Sequence, residues 1–433
     1  MNLIYLFESL KHCFLLPSAI LFLATAIILT IKTRFIQLRG IPKLFKVIKQ
    51  DVNKNQHDSK AQFSAFHALF TAMASTIGMG NVVGPTLAIA AGGPGALFWL
   101  IIYAFFASVT KFTEVVFAIK YRENTKSGFI LGGPMQYLRL VNPAIATWYA
   151  FICMFLFAAW SGVQSNTLAK IFAQEGYNEY LIGFLVALLL LVVLWGGIKR
   201  IGSLASKLVP MMFFLYITFS LFILLQDVGA LWIAIKLVCA HIFTPAAAIG
   251  GFLGATIFDA MRNGIYRGIY ITEAGIGTSS IAHSLANSKP TDQGLLALYS
   301  MAADTFLCLI SGLMVLVTGI WQNGKFSPTM VYEVFKMNSP HLGKYVLVIS
   351  ITLFVLTTVI GNSFNGSQIF AWFTKHRWLK IYYVFVAIVT FFGAIADVPT
   401  IWASTDIILT LVAVPNLICL LILAFKRSDD LEI

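Results

Sequence analysis

The chain has 433 residues, of which 59% are hydrophobic and 11% are charged, and its mean hydropathy is +0.84. An ordinary soluble domain is about 25% charged, so the composition excludes that class. The net charge of +12 does not require nucleic acid, because cytoplasmic loops of membrane proteins collect Lys and Arg. The five cysteines form no CxxC pair and the seven histidines share no metal-ligand spacing, which argues against a disulfide frame or a zinc site.

Apolar runs of roughly 20 residues recur along the chain, and each is long enough to cross a bilayer as a helix. The first run has no small-residue cleavage site after it, so it is interpreted as a retained helix rather than a signal peptide. The runs predict an all-α polytopic membrane protein with eleven spans, at about 12–31, 63–90, 95–119, 143–171, 180–197, 206–226, 244–268, 293–320, 344–371, 379–396 and 402–425.

The distribution of Lys and Arg predicts the orientation of these spans. With the loop after the first span in the cytoplasm, the loops on that side carry 23 basic residues and the opposite side carries 6. This asymmetry predicts a multi-pass protein of the cell inner membrane, with its N-terminus outside and its C-terminus in the cytoplasm.

The ten later spans divide into two sets of five. Because five is odd, the second set starts from the opposite face of the membrane, as an inverted repeat requires. We therefore predict an N-terminal helix with a basic segment (1–62), a first five-helix repeat (63–226) and a second repeat with a short tail (227–433).

Both predicted repeats open with residues that weaken a helix. The first carries GMGN at 78–81, and the second carries Pro245 followed by AIGGFLG at 248–254. Matched breaks of this kind indicate the binding site of a transporter. Gly78 and Gly80 permit unwinding, freed carbonyl groups can hold Na⁺, freed N–H groups can hold a carboxylate, and Asn81 offers an amide oxygen for a cation. The alternative is close helix packing through glycine.

Several stretches of the chain, in the same order, resemble the alanine/glycine:cation symporter family, the sodium:alanine symporters. The resemblance runs from about 63 to 425. The stretches are the first core helix with its Gly-Gly-Pro-Gly loop (63–98), TKFTEVVFAIKYR (110–122), GGPM (132–135), Gln164-Ser165-Asn166, GIYRGIYITEAGIG (264–277), Asp304-Thr305 and Thr318-Gly319.

The resemblance implies a LeuT-type fold of five plus five helices, with one additional N-terminal helix. It also implies sodium-coupled uptake of small neutral amino acids, chiefly alanine and glycine, with no oligomer required. The implied substrate-binding residues are Gly78, Met79, Gly80, Asn81, Gln164, Gly250, Gly251, Phe252 and Asn362. The implied sodium ligands are the carbonyls of Ala74 and Ile77 and the hydroxyls of Thr357 and Thr358, although a threonine hydroxyl can instead bond to its own helix.

The chain departs from the family at three positions. Met79 stands where the family usually has threonine, Thr272 where it has asparagine, and Asn362 where it has tryptophan. Because Asn362 would make the pocket wall smaller and more polar, the cargo could be a larger or more polar amino acid such as serine. The coupling ion could also be H⁺ in place of Na⁺.

Acidic residues within apolar spans are functional candidates. We expect Glu114 to form an ion pair with Lys111 or Lys120, and Asp304 to pair with Arg262 or Arg267. Asp259 is expected to pair with Arg262 at i+3, with a cation or proton site as the alternative. Glu273 is expected about three turns from the site, as a gate or helix cap.

Two other classes of polytopic membrane protein are alternatives, an enzyme and a channel. A membrane-embedded enzyme would need clustered His, Asp or Glu near one membrane face, and a channel would need symmetric assembly around a pore. No GxSxG or GxxxxGK[ST] motif is present, so the energy is expected to come from an ion gradient and not from ATP.

Overall fold

The computed structural model describes residues 3–55, 64–124, 130–243, 257–323, 329–339, 342–375 and 377–432. Two short strands, β1 (Glu123–Asn124) and β2 (Ile130–Leu131), pair as an antiparallel hairpin. The helices in these ranges are α1 (Leu3–Lys32), α2 (Ile36–Arg39), α3 (Ile41–Asn55), α4 (Ala65–Thr76), α5 (Met79–Gly92), α6 (Gly95–Lys120), α7 (Pro134–Val141), α8 (Pro143–Gln174), α9 (Glu179–Leu194), α10 (Gly197–Gln226), α11 (Val228–Ala240), α12 (Ile257–Thr272), α13 (Ser279–His283), α14 (Pro290–Val317), α15 (Met330–Asn338), α16 (Gly343–Thr374), α17 (Leu379–Ile395) and α18 (Val398–Lys426).

Helices cover ten of the eleven predicted spans, and some of them begin several residues earlier than predicted. Within the described ranges, six helices are long and apolar enough to cross a membrane, and a seventh span results when α4 and α5 are counted together. The described part of the seventh predicted span, 244–268, is covered by α12, which ends at Thr272, and residues 244–256 lie outside the described ranges.

The outward faces of the bundle remain apolar. Phe184 on α9, Phe214 on α10, Ile381 on α17 and Phe392 on α17 are each more than half exposed. Water would not tolerate so many exposed large apolar side chains, whereas lipid tails do. The chain is therefore a multi-pass membrane protein.

Polar side chains satisfy the helix ends. The Asn142 side chain accepts a hydrogen bond from the Ala144 N–H at the start of α8, and the Asp227 side chain accepts one from Ala230 at the start of α11. At the end of α8, Glu175 accepts hydrogen bonds from Lys344 and Tyr332, which tie α8 to α16 and α15. The bond from Lys344 holds the pKa of Glu175 below its ordinary value.

Two broken helices lie side by side at the centre of this arrangement. The chain bends by 42° between α4 and α5, and it breaks again between α12 and α13. Helix α12 packs against α5 and α6, while α13 packs against α4. The two breaks therefore face each other, with α8 and α16 alongside.

Candidate functional site

The first break lies at Ile77-Gly78. In a continuous helix the Gly78 N–H would donate to the Ala74 carbonyl, but here it donates to Oδ1 of Asn81 at 3.1 Å. The next N–H group, that of Met79, donates to Oε1 of Gln164 at 3.1 Å. The break therefore releases the Ala74 carbonyl from its usual donor and places the Gln164 side chain, from α8, at the start of α5.

Helix α16 approaches this break closely. A Cβ atom on Gly78 would overlap the Thr358 hydroxyl, and a Cβ atom on Gly361 would lie 2.6 Å from the backbone nitrogen of Ser75. The absence of both side chains allows Oγ1 of Thr358 to donate to the Ile77 carbonyl at 3.0 Å. Two of the predicted sodium ligands, Ile77 and Thr358, therefore lie together.

The predicted ligand Thr357 points in a different direction. Its hydroxyl donates to the carbonyls of Leu353 and Phe354, at 2.8 and 3.0 Å, and lies 3.2 Å from Sδ of Met212 on α10. The sequence left two possibilities for this hydroxyl, a sodium ligand or a bond to its own helix. In the structure, the Thr357 hydroxyl bonds to its own helix.

The second break lies at 273–278, where Glu273, Gly275 and Gly277 have φ of 54°, 92° and 87°. A left-handed conformation is common for glycine but unusual for glutamate. The carbonyls freed by this break are satisfied by side chains from other helices. Asn416 Nδ2 donates to Gly275 at 2.8 Å, Tyr149 to Ile276 at 2.7 Å and Tyr103 to Ala274 at 3.3 Å.

This second break corrects the predicted position of Glu273, whereas the predicted break at 248–254 stays a prediction. The predicted second break at 248–254 and the site residues Gly250, Gly251 and Phe252 lie outside the described residues. The described break that faces the first one comes some twenty residues later, within the ITEAGIG stretch. Glu273 is therefore at the break itself and not three turns away, because α12 ends at Thr272.

A small cavity with a volume of about 20 Å³ lies where the two breaks meet. A single water needs roughly 10–15 Å³, so the cavity is nearly closed in this conformation, and a larger ligand requires it to widen. The residues that line it are Ser75, Thr76, Gly80, Trp160, Gln164, Tyr270, Ile271, Glu273, Thr358 and Asn362.

Four buried polar atoms around this cavity have no hydrogen-bond partner within the described ranges: Thr76 Oγ1, Trp160 Nε1, Tyr270 OH and Asn362 Oδ1. Burying polar atoms without partners is costly, and native interiors leave few of them. Their concentration around one cavity indicates a ligand that offers both donors and acceptors.

The six predicted substrate-binding residues that the structure describes divide into two groups. Gly80, Gln164 and Asn362 line the cavity. Gly78, Met79 and Asn81 form the break next to it, where the Asn81 amide oxygen is occupied by the Gly78 N–H.

Sequence reasoning missed several cavity residues, Trp160, Tyr270 and Thr76 among them. Trp160 could have been found, because it lies one helical turn before Gln164 on α8. Aromatic residues in apolar spans usually belong to the core, and Trp160 and Tyr270 do pack edge to face at 5.8 Å. Their free polar atoms are visible only in the folded structure.

The predicted acid pairs had mixed outcomes. Asp259 pairs with Arg262 at 3.0 Å, as the i+3 spacing predicts. The ion pair predicted for Glu114 is wrong: Glu114 accepts from Asn416 at 2.9 Å, and Lys120 pairs with Asp430.

The pairing predicted for Asp304 is also wrong. The cation next to Asp304 is Lys111, at 3.8 Å, because α14 packs against α6. Arg262 instead pairs with Asp259, and the Arg267 guanidinium lies over the Trp402 ring at 4.9 Å.

Solved structures share this architecture. The transporter MhsT in complex with L-phenylalanine matches with a TM-score of 0.63 at 15% identity, covering 86% of this chain and 92% of that chain. A Na⁺-coupled sialic acid symporter matches with a TM-score of 0.57 at 12% identity, covering 94% and 93%. These matches show that the chain has the LeuT-type fold.

Comparison of sequences gives the family. Residues 3–432 match the sodium:alanine symporter family. A sodium/alanine symporter of Methanococcus maripaludis is 32% identical, covering 94% of this chain and 91% of that protein. A probable sodium/glutamine symporter of Bacillus subtilis is 30% identical, covering 94% and 85%. The chain belongs to the sodium:alanine symporter family, and it is a transporter and not an enzyme.

Proposed function

We propose that this protein couples the entry of Na⁺ to the uptake of a small neutral amino acid, alanine or glycine, by alternating access. The observation that carries the proposal is the cavity between the two helix breaks, with its four unpartnered polar atoms. A zwitterion of small volume offers the donors and acceptors that these atoms lack. The N–H groups of Gly78 and Met79, which now donate to Asn81 and Gln164, would exchange these partners for its carboxylate.

The proposed sodium position is next to this cavity. The Ile77 carbonyl and the Thr358 hydroxyl lie 3.0 Å apart, and the Ala74 carbonyl has lost its usual donor. These are hard oxygen ligands without net charge, which suit an alkali cation in a region where ionised side chains are costly. Proton coupling at another position is the alternative.

A second candidate cargo is a more polar amino acid such as serine. The observation that favours it is the amide of Asn362 on the cavity wall, whose oxygen has no partner in the described part of the chain. A cargo hydroxyl could donate to this oxygen. The relative named as a probable sodium/glutamine symporter supports the view that cargo varies between members.

The experiment is uptake of labelled alanine into proteoliposomes, with and without an inward Na⁺ gradient, with glycine and serine as competitors. Sodium-driven alanine uptake that glycine inhibits better than serine supports the first candidate. Stronger inhibition by serine, lost in Asn362→Ala but kept in the control Asn338→Ala, supports the second. An alanine uptake rate that is the same with and without the Na⁺ gradient would contradict sodium coupling.

A further inference from the structure

A cluster of buried ionisable groups lies behind the cavity. Lys111 on α6 is 3.8 Å from Asp304 on α14, and its Nζ donates to the Thr272 carbonyl at 3.2 Å. Thr272 directly precedes Glu273, which lines the cavity. Lys111, Glu114 and Asp304 are at most 1% exposed, and Glu273 is 4% exposed.

The charges in this cluster do not balance. Glu114, Glu273 and Asp304 interact electrostatically with Lys111, so three carboxyl groups share one ammonium group. Fully ionised, the cluster would carry two surplus negative charges within the span of a membrane, where unpaired charge is costly. Bound protons or bound cations must offset that surplus.

Among the residues that the structure describes, the neighbouring elements supply no second balancing cation. On α12, Arg267 lies near an acid of its own. Both Arg267 and Asp406 of α18 interact electrostatically with Tyr266 and Tyr270, so the charge of Asp406 offsets that of Arg267. On α13, His283 is hydrogen-bonded to Gln293, and Thr278 donates to Glu273. The other titratable groups of the described ranges that face the cluster are Tyr103, Tyr137, Tyr149, Cys153, Tyr270 and Cys308.

Within the described ranges, Asp304 accepts no hydrogen bond and Glu114 accepts through only one of its two oxygens. Both oxygens of Asp304 and Oε2 of Glu114 have no hydrogen-bond partner in the described ranges, and the 3.8 Å from Asp304 to Lys111 is too long for one. The third carboxyl group, Glu273, receives a bond from Thr278 and borders the cavity. Glu273 is therefore the member of the cluster that a ligand can reach.

We propose that Glu273 binds a proton when the cavity is empty and releases it when the ammonium group of the amino acid enters. The proton leaves the carboxylic acid as H⁺, and the carboxylate that remains pairs with the ammonium group. The charge of the cluster stays the same, because one positive charge replaces another. This inference rests on the proposed function, since it requires an amino acid in the cavity.

The first test measures proton release. Alanine is added to the purified full-length protein in detergent micelles, at saturating Na⁺, in weak buffer with a pH-indicator dye. The wild type is expected to release up to one proton per alanine bound. In the pH range where Glu273 is protonated, the apparent affinity for alanine should rise about tenfold per pH unit, by linkage.

Two variants and a control make the test specific. Glu273→Gln should bind alanine more weakly, release no proton and show no pH dependence of affinity. Asp304→Asn removes one surplus negative charge, so it should move proton release to lower pH. The control Glu179→Gln lies in a surface pair with Lys170 and should behave as the wild type.

The outcomes separate the two proposals. If the wild type binds alanine but releases no proton between pH 5 and 9, the proton inference is wrong and the proposed function stands. If Asp304→Asn leaves the pH profile unchanged, the shared-charge account is wrong even where Glu273→Gln does not fold. If the wild type binds no alanine, the proposed function fails, and this inference with it.

Discussion

At the scale of single residues, two adjacent threonines on α16 have different partners. Thr358 donates to the Ile77 carbonyl across the first break, whereas Thr357 donates to carbonyls of its own helix. The two residues are chemically identical, equally buried and neighbours in the chain. They therefore form a matched pair for testing the proposed sodium position.

We predict that Thr358→Val raises the half-saturating Na⁺ concentration for uptake by about tenfold or more, because a direct oxygen ligand is lost; a 1.4 kcal/mol loss of binding corresponds to tenfold. Thr357→Val should change it by less than about twofold. The measurement is the Na⁺ dependence of initial uptake in proteoliposomes. Equal effects of the two substitutions would place Thr357 among the ligands.

At the scale of elements, the second break depends on donors from three separate helices. Asn416 of α18, Tyr149 of α8 and Tyr103 of α6 bond to its carbonyls. Gly275 sits among them at φ 92°, where a Cβ atom would lie 2.7 Å from the Phe22 ring of α1. The break is thus built into the packing of the whole bundle.

We predict that Gly275→Ala destabilises the protein by about 1–3 kcal/mol, because overpacking adds to the cost of a left-handed alanine. Gly176→Ala is the control: it has a similar φ of 87°, but nothing lies within 4 Å of its Cβ position. Thermal unfolding in detergent should show the larger drop in melting temperature for Gly275→Ala. An equal drop would mean that backbone conformation alone accounts for the effect.

The two breaks also show what sequence can reveal about such a site. The first was predictable because GMGN combines two glycines with an asparagine that accepts from the backbone. The second predicted break, at 248–254, lies outside the described residues, and the break at 273–278 was not predicted, because glycine content alone does not tell which stretch unwinds. That choice depends on the donors Tyr103, Tyr149 and Asn416, which are distant in sequence.

Side-chain partners were less predictable than helices. The span pattern followed from hydropathy, since backbone groups in lipid must be satisfied within each helix. The partners of Asp304 and Glu114 depended instead on which helices pack together, and that information is tertiary.

At the scale of the whole molecule, the orientation in the membrane remains a prediction. Arg262 and Arg267 were counted as cytoplasmic loop residues, but they lie within α12. Without these two, the 23 cytoplasmic basic residues become 21 against 6, and the asymmetry still favours a cytoplasmic C-terminus.

A C-terminal fusion to alkaline phosphatase or to green fluorescent protein tests this orientation. We expect a fluorescent green fluorescent protein fusion and an inactive phosphatase fusion, as a cytoplasmic C-terminus requires. A fusion at Gly229, in the first turn of α11 and just after α10 ends, should give the opposite pair of results. An active C-terminal phosphatase would reverse the predicted topology.

The central claim is that the first break holds the ion next to the amino acid, so that each stabilises the other. The most direct measurement is equilibrium binding to the purified protein: alanine affinity with and without Na⁺, and Na⁺ affinity with and without alanine. Linkage requires both affinities to rise by the same factor, typically about 5–150-fold, and Thr358→Val should reduce that factor. An alanine affinity that Na⁺ does not change would contradict the account.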